Sequence, residues 1–174
     1  MEEKKDSDIT LRGDGLLLRP WKAEDASWYV EARDEEVFKW TTERRDLTVV
    51  EAEKSIRHAG HNTEALGFAI TDAGTGEKLG SICLVFNEES RESAEVMYWL
   101  APWGRGRGVA TSAVRMLCQW AFRSLGLEQV ILKTLAENAR SQSVAERVGF
   151  RRQELGDKDA ANPINLWFEL SSGG

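Results

Sequence analysis

Apolar residues fall into two periodicities along the chain, and the switches between them mark its elements. Leu16 to Pro20 is an apolar run stopped by proline, which predicts a short strand. From Trp21 to Arg33, Trp28, Val30 and Ala32 follow the acidic pair Glu24 and Asp25, the charge bias of a helix start. A second helix is expected from Thr48 to about His61, with Thr48 as cap and Glu51 three residues on completing a capping box. From Ala65 the texture becomes β-branched and aromatic. Leu66 to Thr71, Lys78 to Asn87 and Ser93 to Leu100 are separated by the turn-forming stretches 72–76 and 87–90, an antiparallel meander.

A glycine cluster at 104–108 ends this texture. Beyond it Ala110, Ala113, Val114, Leu117, Cys118, Ala121, Phe122 and Leu125 form a helical stripe that Gly126 closes. Gln129 to Thr134 reads as a strand, Ser141 to Val148 as a helix ended by Gly149, and Phe150 to Glu154 and Asn165 to Leu170 as late strands. The order βααβββαβαββ fits one mixed sheet flanked by helices, an α/β or α+β layered fold.

Composition narrows the function classes. At 174 residues, with no Pro/Ser-rich linker or repeat, the chain is expected to be one domain with its own core, frayed at 1–8 and 171–174. A formal net charge of −6 argues against a broad electrostatic grip on nucleic acid or anionic membrane. No apolar run approaches membrane-spanning length and the first eight residues are polar, so a soluble, cytoplasmic protein is expected. Cys83 and Cys118 lie inside apolar runs without paired spacing and read as core thiols. His58 and His61 stand one helical turn apart but lack a third ligand, so no metal is expected.

The chemistry concentrates between Tyr98 and Thr111. A strand ends, Pro102 breaks the ladder, glycines alternate with Arg105 and Arg107, and a long amphipathic helix begins. Glycines let several N–H groups turn inward at a helix N-terminus, where unpaired donors and the dipole favour a phosphate or pyrophosphate. The two arginines can add charge-assisted bonds, although a plain glycine turn with solvated arginines has the same composition. A Walker loop needs a lysine that is missing. A dinucleotide fingerprint needs a first-strand βαβ setting that is missing too.

The remaining pattern, Arg105, Gly108 and Ala110 between a strand and the longest helix, resembles the GNAT acetyltransferase superfamily, over about Leu16 to Leu170. The stretches 94–102 and 138–150, with Asn138, Ser141 and the closing Val148, Gly149 and Phe150, resemble its RimJ/RimL branch, which acetylates protein N-terminal amines. The resemblance implies a mostly antiparallel central sheet of about seven strands flanked by about four helices, with the fourth and fifth strands splayed. It also implies acetyl-CoA as cosubstrate, with Arg105, Gly106, Arg107, Gly108, Val109, Ala110 and Thr111 around its pyrophosphate. Trp99, Leu100 and Ala101 would pair through their main chain with the pantetheine arm, and Asn138 and Ser141 would lie on the cofactor side.

A strand N–H between Met97 and Trp99 would polarise the thioester carbonyl. Superfamily members often place a tyrosine seven residues after the asparagine to protonate the departing thiolate. Here that position is Ala145, which leaves the role to Ser141 or water. Glu95 is the candidate base, on the same strand face as Met97 and Trp99, with an outward, hydrated glutamate as the alternative. Phe38, Trp40 and Tyr98 are candidate acceptor contacts, with core packing an equal reading for the first two. At pH 7 an α-amine is about one-sixth neutral and a lysine amine about one part in 2,500, so lysine asks about 3.5 kcal/mol more of the site.

The expected partners are a CoA thioester and an amine acceptor, with a homodimer left open. Direct transfer is expected, since no activated nucleophile is visible. A peptide N-terminus is the favoured acceptor. Small-molecule amines, a catalytically weak acyl-CoA sensor and a nucleotide-binding regulator are the alternatives.

Overall fold

The computed structural model describes residues 9–59, 62–90, 92–154 and 165–173. Residues 1–8, His61 and Gly174, for which fraying and a helical end are expected, lie outside the described residues. Among the described residues eight strands form one sheet: β1 (Leu11–Gly13), β2 (Leu16–Pro20), β3 (Ala65–Asp72), β4 (Lys78–Phe86), β5 (Ser93–Leu100), β6 (Gln129–Leu135), β7 (Arg151–Gln153) and β8 (Asn165–Ser171). Their spatial order is β1-β2-β3-β4-β5-β6-β8-β7. Every neighbouring pair is antiparallel except β5 and β6. The helices are α1 (Ala26–Glu31), α2 (Glu35–Trp40), α3 (Val49–Ala59), α4 (Val109–Trp120) and α5 (Ala139–Val148).

Local chemistry accounts for the ends. Glu51 N–H donates to Thr48 Oγ1 at 3.2 Å and Thr48 N–H to Glu51 Oε2 at 2.8 Å, the reciprocal pair expected at the start of α3. Asp34 caps α2 by accepting from Val37 N–H at 3.2 Å. This one-and-a-half-turn helix interrupts the segment read as a connection between two helices. Helix α4 runs on through a π-helical turn, Ala121–Leu125, to Gly126 at φ 69°. β8 extends through Ser171, and Ser172 N–H donates to Glu128 O at 2.9 Å, so residues 171–173 are tied to the sheet rather than frayed.

The sheet separates two packing layers. Val96 on β5, Ile82 and Leu84 on β4, and Val130 and Leu132 on β6 are buried together with Ala113, Val114 and Leu117 of α4 and Val144 and Ala145 of α5. On the other face Trp99 and Ala101 form a smaller cluster with Ala32 and Val37, with Trp28 and Tyr29 of α1 packed against it. Asp25 anchors this second layer. It is 1% exposed, and its carboxylate accepts from Arg19 at 2.7 and 3.1 Å, Lys78 at 3.0 Å and Lys22 N–H at 2.9 Å. Burial pushes the Asp25 carboxyl up, but these donors outweigh it and hold it at about 2.

Candidate active site

β5 and β6 are paired only at Ser93–Gln129, Ala94–Val130 and Glu95–Ile131. Beyond Glu95 the parallel strands part, and residues 96–100 of β5 and 132–135 of β6 border a wedge-shaped gap in the middle of the sheet. A parallel pair needs a crossover, and α4 supplies it, so its N-terminus stands at the end where the strands have separated. The two features, an opened sheet and a helix N-terminus, are consequences of one βαβ connection.

The loop entering α4 supplies main-chain donors. Gly106 and Gly108 adopt φ 71° and 74°, the left-handed region that disfavours side chains, and both face open space. Ser112 N–H closes the first helical bond on Gly108 O at 3.1 Å. Among the described residues, no acceptor within the chain takes the N–H groups of Gly106, Arg107, Gly108, Val109, Ala110 or Thr111. A run of free amides at a helix's positive end can hold a phosphate or diphosphate. A cleft of about 150 Å³ adjoins this loop, lined by Asp14, Leu16, Asp72, Arg107, Gly108 and Ser112 among others.

The two arginines of the loop part company. Arg105 reaches back to α2, donating to both oxygens of Asp34 at 2.7 and 2.8 Å, to Glu36 at 3.1 Å and to Leu100 O at 2.8 Å. Its guanidinium is consumed by protein acceptors, which corrects the expectation that it binds the cofactor's phosphates through its side chain. The Arg105 guanidinium in turn holds the Asp34 carboxyl at about 2. Glu36 also pairs with Arg140, so α2 is linked both to the loop and to the start of α5. Arg107 is exposed, with one bond to Trp103 O at 3.3 Å, and is the loop's available cation.

β5 presents its residues to opposite sides of the gap. Glu95 faces the α1/α2 side with Met97, Trp99 and the register partner of Met97, Cys83. Its carboxylate lies 2.7 Å from Lys133 Nζ, the side chains being 25% and 34% exposed. The candidate base is therefore half-buried and paired, a partner that sequence reading missed. Glu43 was missed as well: it accepts from Tyr29 Oη at 2.8 Å and Arg33 at 3.0 Å above the same face. Trp99 stacks on Trp28, with ring centroids 6.0 Å apart, and meets the edge of Tyr29. Trp99 and Ala101 are buried in this layer, while Leu100 packs against the other.

Phe38 and Trp40, on α2, are half-buried on the same side, and the guanidiniums of Arg33 and Arg45 lie 5.5 and 4.7 Å from the Phe38 ring. Tyr98 departs from this group. It opposes Ile82 and packs with the α4/α5 core, so it does not share the face of Phe38 and Trp40. Its hydroxyl donates to Ser141 Oγ at 3.2 Å. Asn138 caps α5 by accepting from Ser141 N–H at 3.2 Å, and Ala145 is fully buried.

Burial pushes the thiol of Cys83 up to about 11, with Glu43 and Glu95 adding to it, and burial alone takes Cys118 to about 12. Neither is an activated nucleophile. Among the described residues, no group of three or more His, Cys, Asp or Glu is placed to hold a metal ion, and no helix is long and apolar enough to cross a membrane.

The family profile of the acetyltransferase (GNAT) domain matches residues 15–151. The chain belongs to the GNAT acetyltransferase family, a class of acetyl-CoA-dependent acyltransferases that act on amines. Among its relatives is YdaF of Bacillus subtilis, 36% identical over 75 residues, a match spanning 43% of this chain and 41% of that protein. The ribosomal-protein-S5-alanine acetyltransferase of Vibrio fischeri superposes with a TM-score of 0.78 at 18% identity, covering 95% of this chain and 97% of that one. A spermidine N-acetyltransferase from Vibrio cholerae, solved with CoA and spermine, gives 0.78 at 18% identity, over 92% and 98%. The mixed α/β fold with its eight-stranded, mostly antiparallel sheet is the one these structures share.

Proposed function

We propose that this chain transfers an acetyl group from acetyl-CoA directly to the N-terminal amine of a protein or peptide. The observation that carries the reading is the gap between β5 and β6, with free loop amides at its α4 end and Glu95 at its vertex on the opposite face. The amides of residues 106–111, with Arg107, would hold the diphosphate of the cosubstrate, and the exposed edge of β5 would pair with its amide-bearing arm. The cosubstrate supplies an activated acyl group.

The residues of the chain orient and manage protons. Glu95 receives the proton of the incoming amine, directly or through water, and Lys133, 2.7 Å away, holds its carboxylate in place. A β5 N–H polarises the carbonyl. The half-buried rings of Phe38 and Trp40 would border the acceptor.

A cationic small molecule is the second reading, because the spermidine N-acetyltransferase of Vibrio cholerae, solved with CoA and spermine, has this fold. One experiment separates the readings: thiol release from acetyl-CoA against short peptides with free N-termini, Nα-blocked lysine peptides, polyamines and free amino acids. Turnover on free-N-terminus peptides and not on their Nα-blocked forms is expected. Turnover confined to polyamines overturns the peptide reading, and tight CoA binding without turnover on any amine points to a sensor. Glu95→Gln is expected to lower kcat at neutral pH far more than CoA affinity, and an unchanged pH–rate profile removes Glu95 from the mechanism.

A further inference from the structure

The family position that often carries the thiolate-protonating tyrosine is here the fully buried Ala145, yet a tyrosine hydroxyl is present at the same gap from a different element. Tyr98 lies on the parted stretch of β5, on the side of the sheet that carries α5, and its hydroxyl donates to Ser141 Oγ at 3.2 Å. The backbone of Ser141 is fixed as well, because its N–H donates to the Asn138 side chain that caps the helix. We propose that Tyr98 is a positioning residue that orients the Ser141 hydroxyl as the hydrogen-bond donor to the departing thiolate. This inference rests on the reading of the gap as an acetyl-CoA site.

A serine hydroxyl has a single hydrogen and two lone pairs, and left alone it rotates among acceptors. With the Tyr98 hydrogen occupying one lone pair, the serine's own hydrogen is directed away from the tyrosine and is free to face the gap. For this Tyr98 must remain a donor throughout the working range. Burial raises its pKa above the ordinary value, only partly offset by the bond to Ser141, so it does not ionise near neutral pH.

The bookkeeping of the transfer closes without a further reagent. The C–N bond forms as the C–S bond breaks and its electron pair goes to sulfur. The proton shed by nitrogen passes to Glu95 or water and ends on sulfur through solvent. Ser141 stabilises the sulfur charge in the interval and keeps its own proton.

The test uses Tyr98→Phe, Ser141→Ala, Ser141→Thr and the Tyr98→Phe/Ser141→Ala double variant in the full chain, with calorimetric binding of desulfo-CoA and kcat for acetyl-CoA and acetyl-seleno-CoA. A selenolate departs without help, so a lost donor is felt only with the thioester. Desulfo-CoA affinity is expected to stay within about threefold throughout. With acetyl-CoA, Ser141→Ala should lose about 100-fold in kcat and Tyr98→Phe about tenfold, and Ser141→Thr should keep most activity. The double variant should match Ser141→Ala alone, since Tyr98 acts only through that hydroxyl. With acetyl-seleno-CoA every loss should shrink to below about threefold.

Multiplicative losses in the double variant, or equal losses with both donors, overturn the proposal while leaving the acetyltransferase reading standing. Failure of the unaltered protein to bind desulfo-CoA overturns that reading and the proposal together.

Discussion

Replacing Arg105 with alanine separates two roles that a glycine-arginine loop presents as one. In the structure its guanidinium spans Asp34, Glu36 and Leu100 O, tying α2 to the end of β5. The carboxyl of Asp34 is held at about 2 against an ordinary 3.8, a difference worth about 2.5 kcal/mol for a fully shielded group. Solvent reaches both partners, at 21% and 38% side-chain exposure, which brings the contribution down to about 1 kcal/mol. Loss of the donor to Glu36 and Leu100 O adds about 1 kcal/mol. Arg105→Ala should therefore destabilise the chain by about 2 kcal/mol, a fall in Tm of about 4–8 °C.

The folded carboxyl titrates below the unfolded one. The Asp34 contribution is thus complete above the ordinary carboxylate range and fades as pH falls toward about 2, so the difference between variant and wild type narrows at low pH. Arg107→Ala should behave in the opposite way, with Tm unchanged and CoA binding weakened about tenfold in a salt-sensitive manner. Thermal melts at pH 7 and pH 3, with calorimetry of CoA binding at two salt concentrations, measure both. A wild-type melting curve for Arg105→Ala accompanied by a tenfold loss of CoA affinity would refute the assignment of its guanidinium to Asp34.

Other consequences are more local. Gly108→Ala forces a side chain into φ 74° with open space around it, so the penalty is conformational: about 1–2 kcal/mol, read either as lower Tm or as about tenfold weaker CoA binding if the amides rotate away. Asp25→Ala removes the acceptor of two cations and should cost about 3–5 kcal/mol in urea unfolding followed by tryptophan fluorescence; a loss below about 1 kcal/mol contradicts the anchoring role. Cys83 and Cys118, raised to about 11 and 12, should resist iodoacetamide at pH 7.5, and Cys83→Ala should keep kcat within about threefold; loss of turnover would contradict direct transfer.

What the sequence disclosed was mainly local. The Thr48–Glu51 capping box, the bounds of β5, the Gly126 that closes the π-helical turn after α4 and the Gly149 that ends α5 each depend on residues within a few positions, and all stand as read. The opened β5–β6 pair and the surrounding fold came from resemblance to a family, and the strand register bears them out. The misreadings were long-range. Arg105 is claimed by Asp34 and Glu36, some seventy residues away in sequence, and no local pattern points to them.

Period-two alternation put Glu95, Met97 and Trp99 on one face and so placed Tyr98 on the other. It does not say which face meets α5, and the fold puts Tyr98 on that face, away from Phe38 and Trp40. Lys133 beside Glu95, and Glu43 beneath Tyr29 and Arg33, needed the folded sheet to appear. Helix α2 was hidden by its six-residue length, too short for a helical stripe to register.

Amide-resolved NMR during titration with desulfo-CoA shows whether the free amides at the start of α4 receive a diphosphate while its arm enters the gap between β5 and β6. The largest downfield shifts are expected at Gly106, Gly108, Val109 and Ala110, with a second set along residues 97–101 and 132–135. Shifts confined to Asp14, Asp72 and their neighbours, or saturation that leaves residues 106–110 unmoved, would contradict that binding mode.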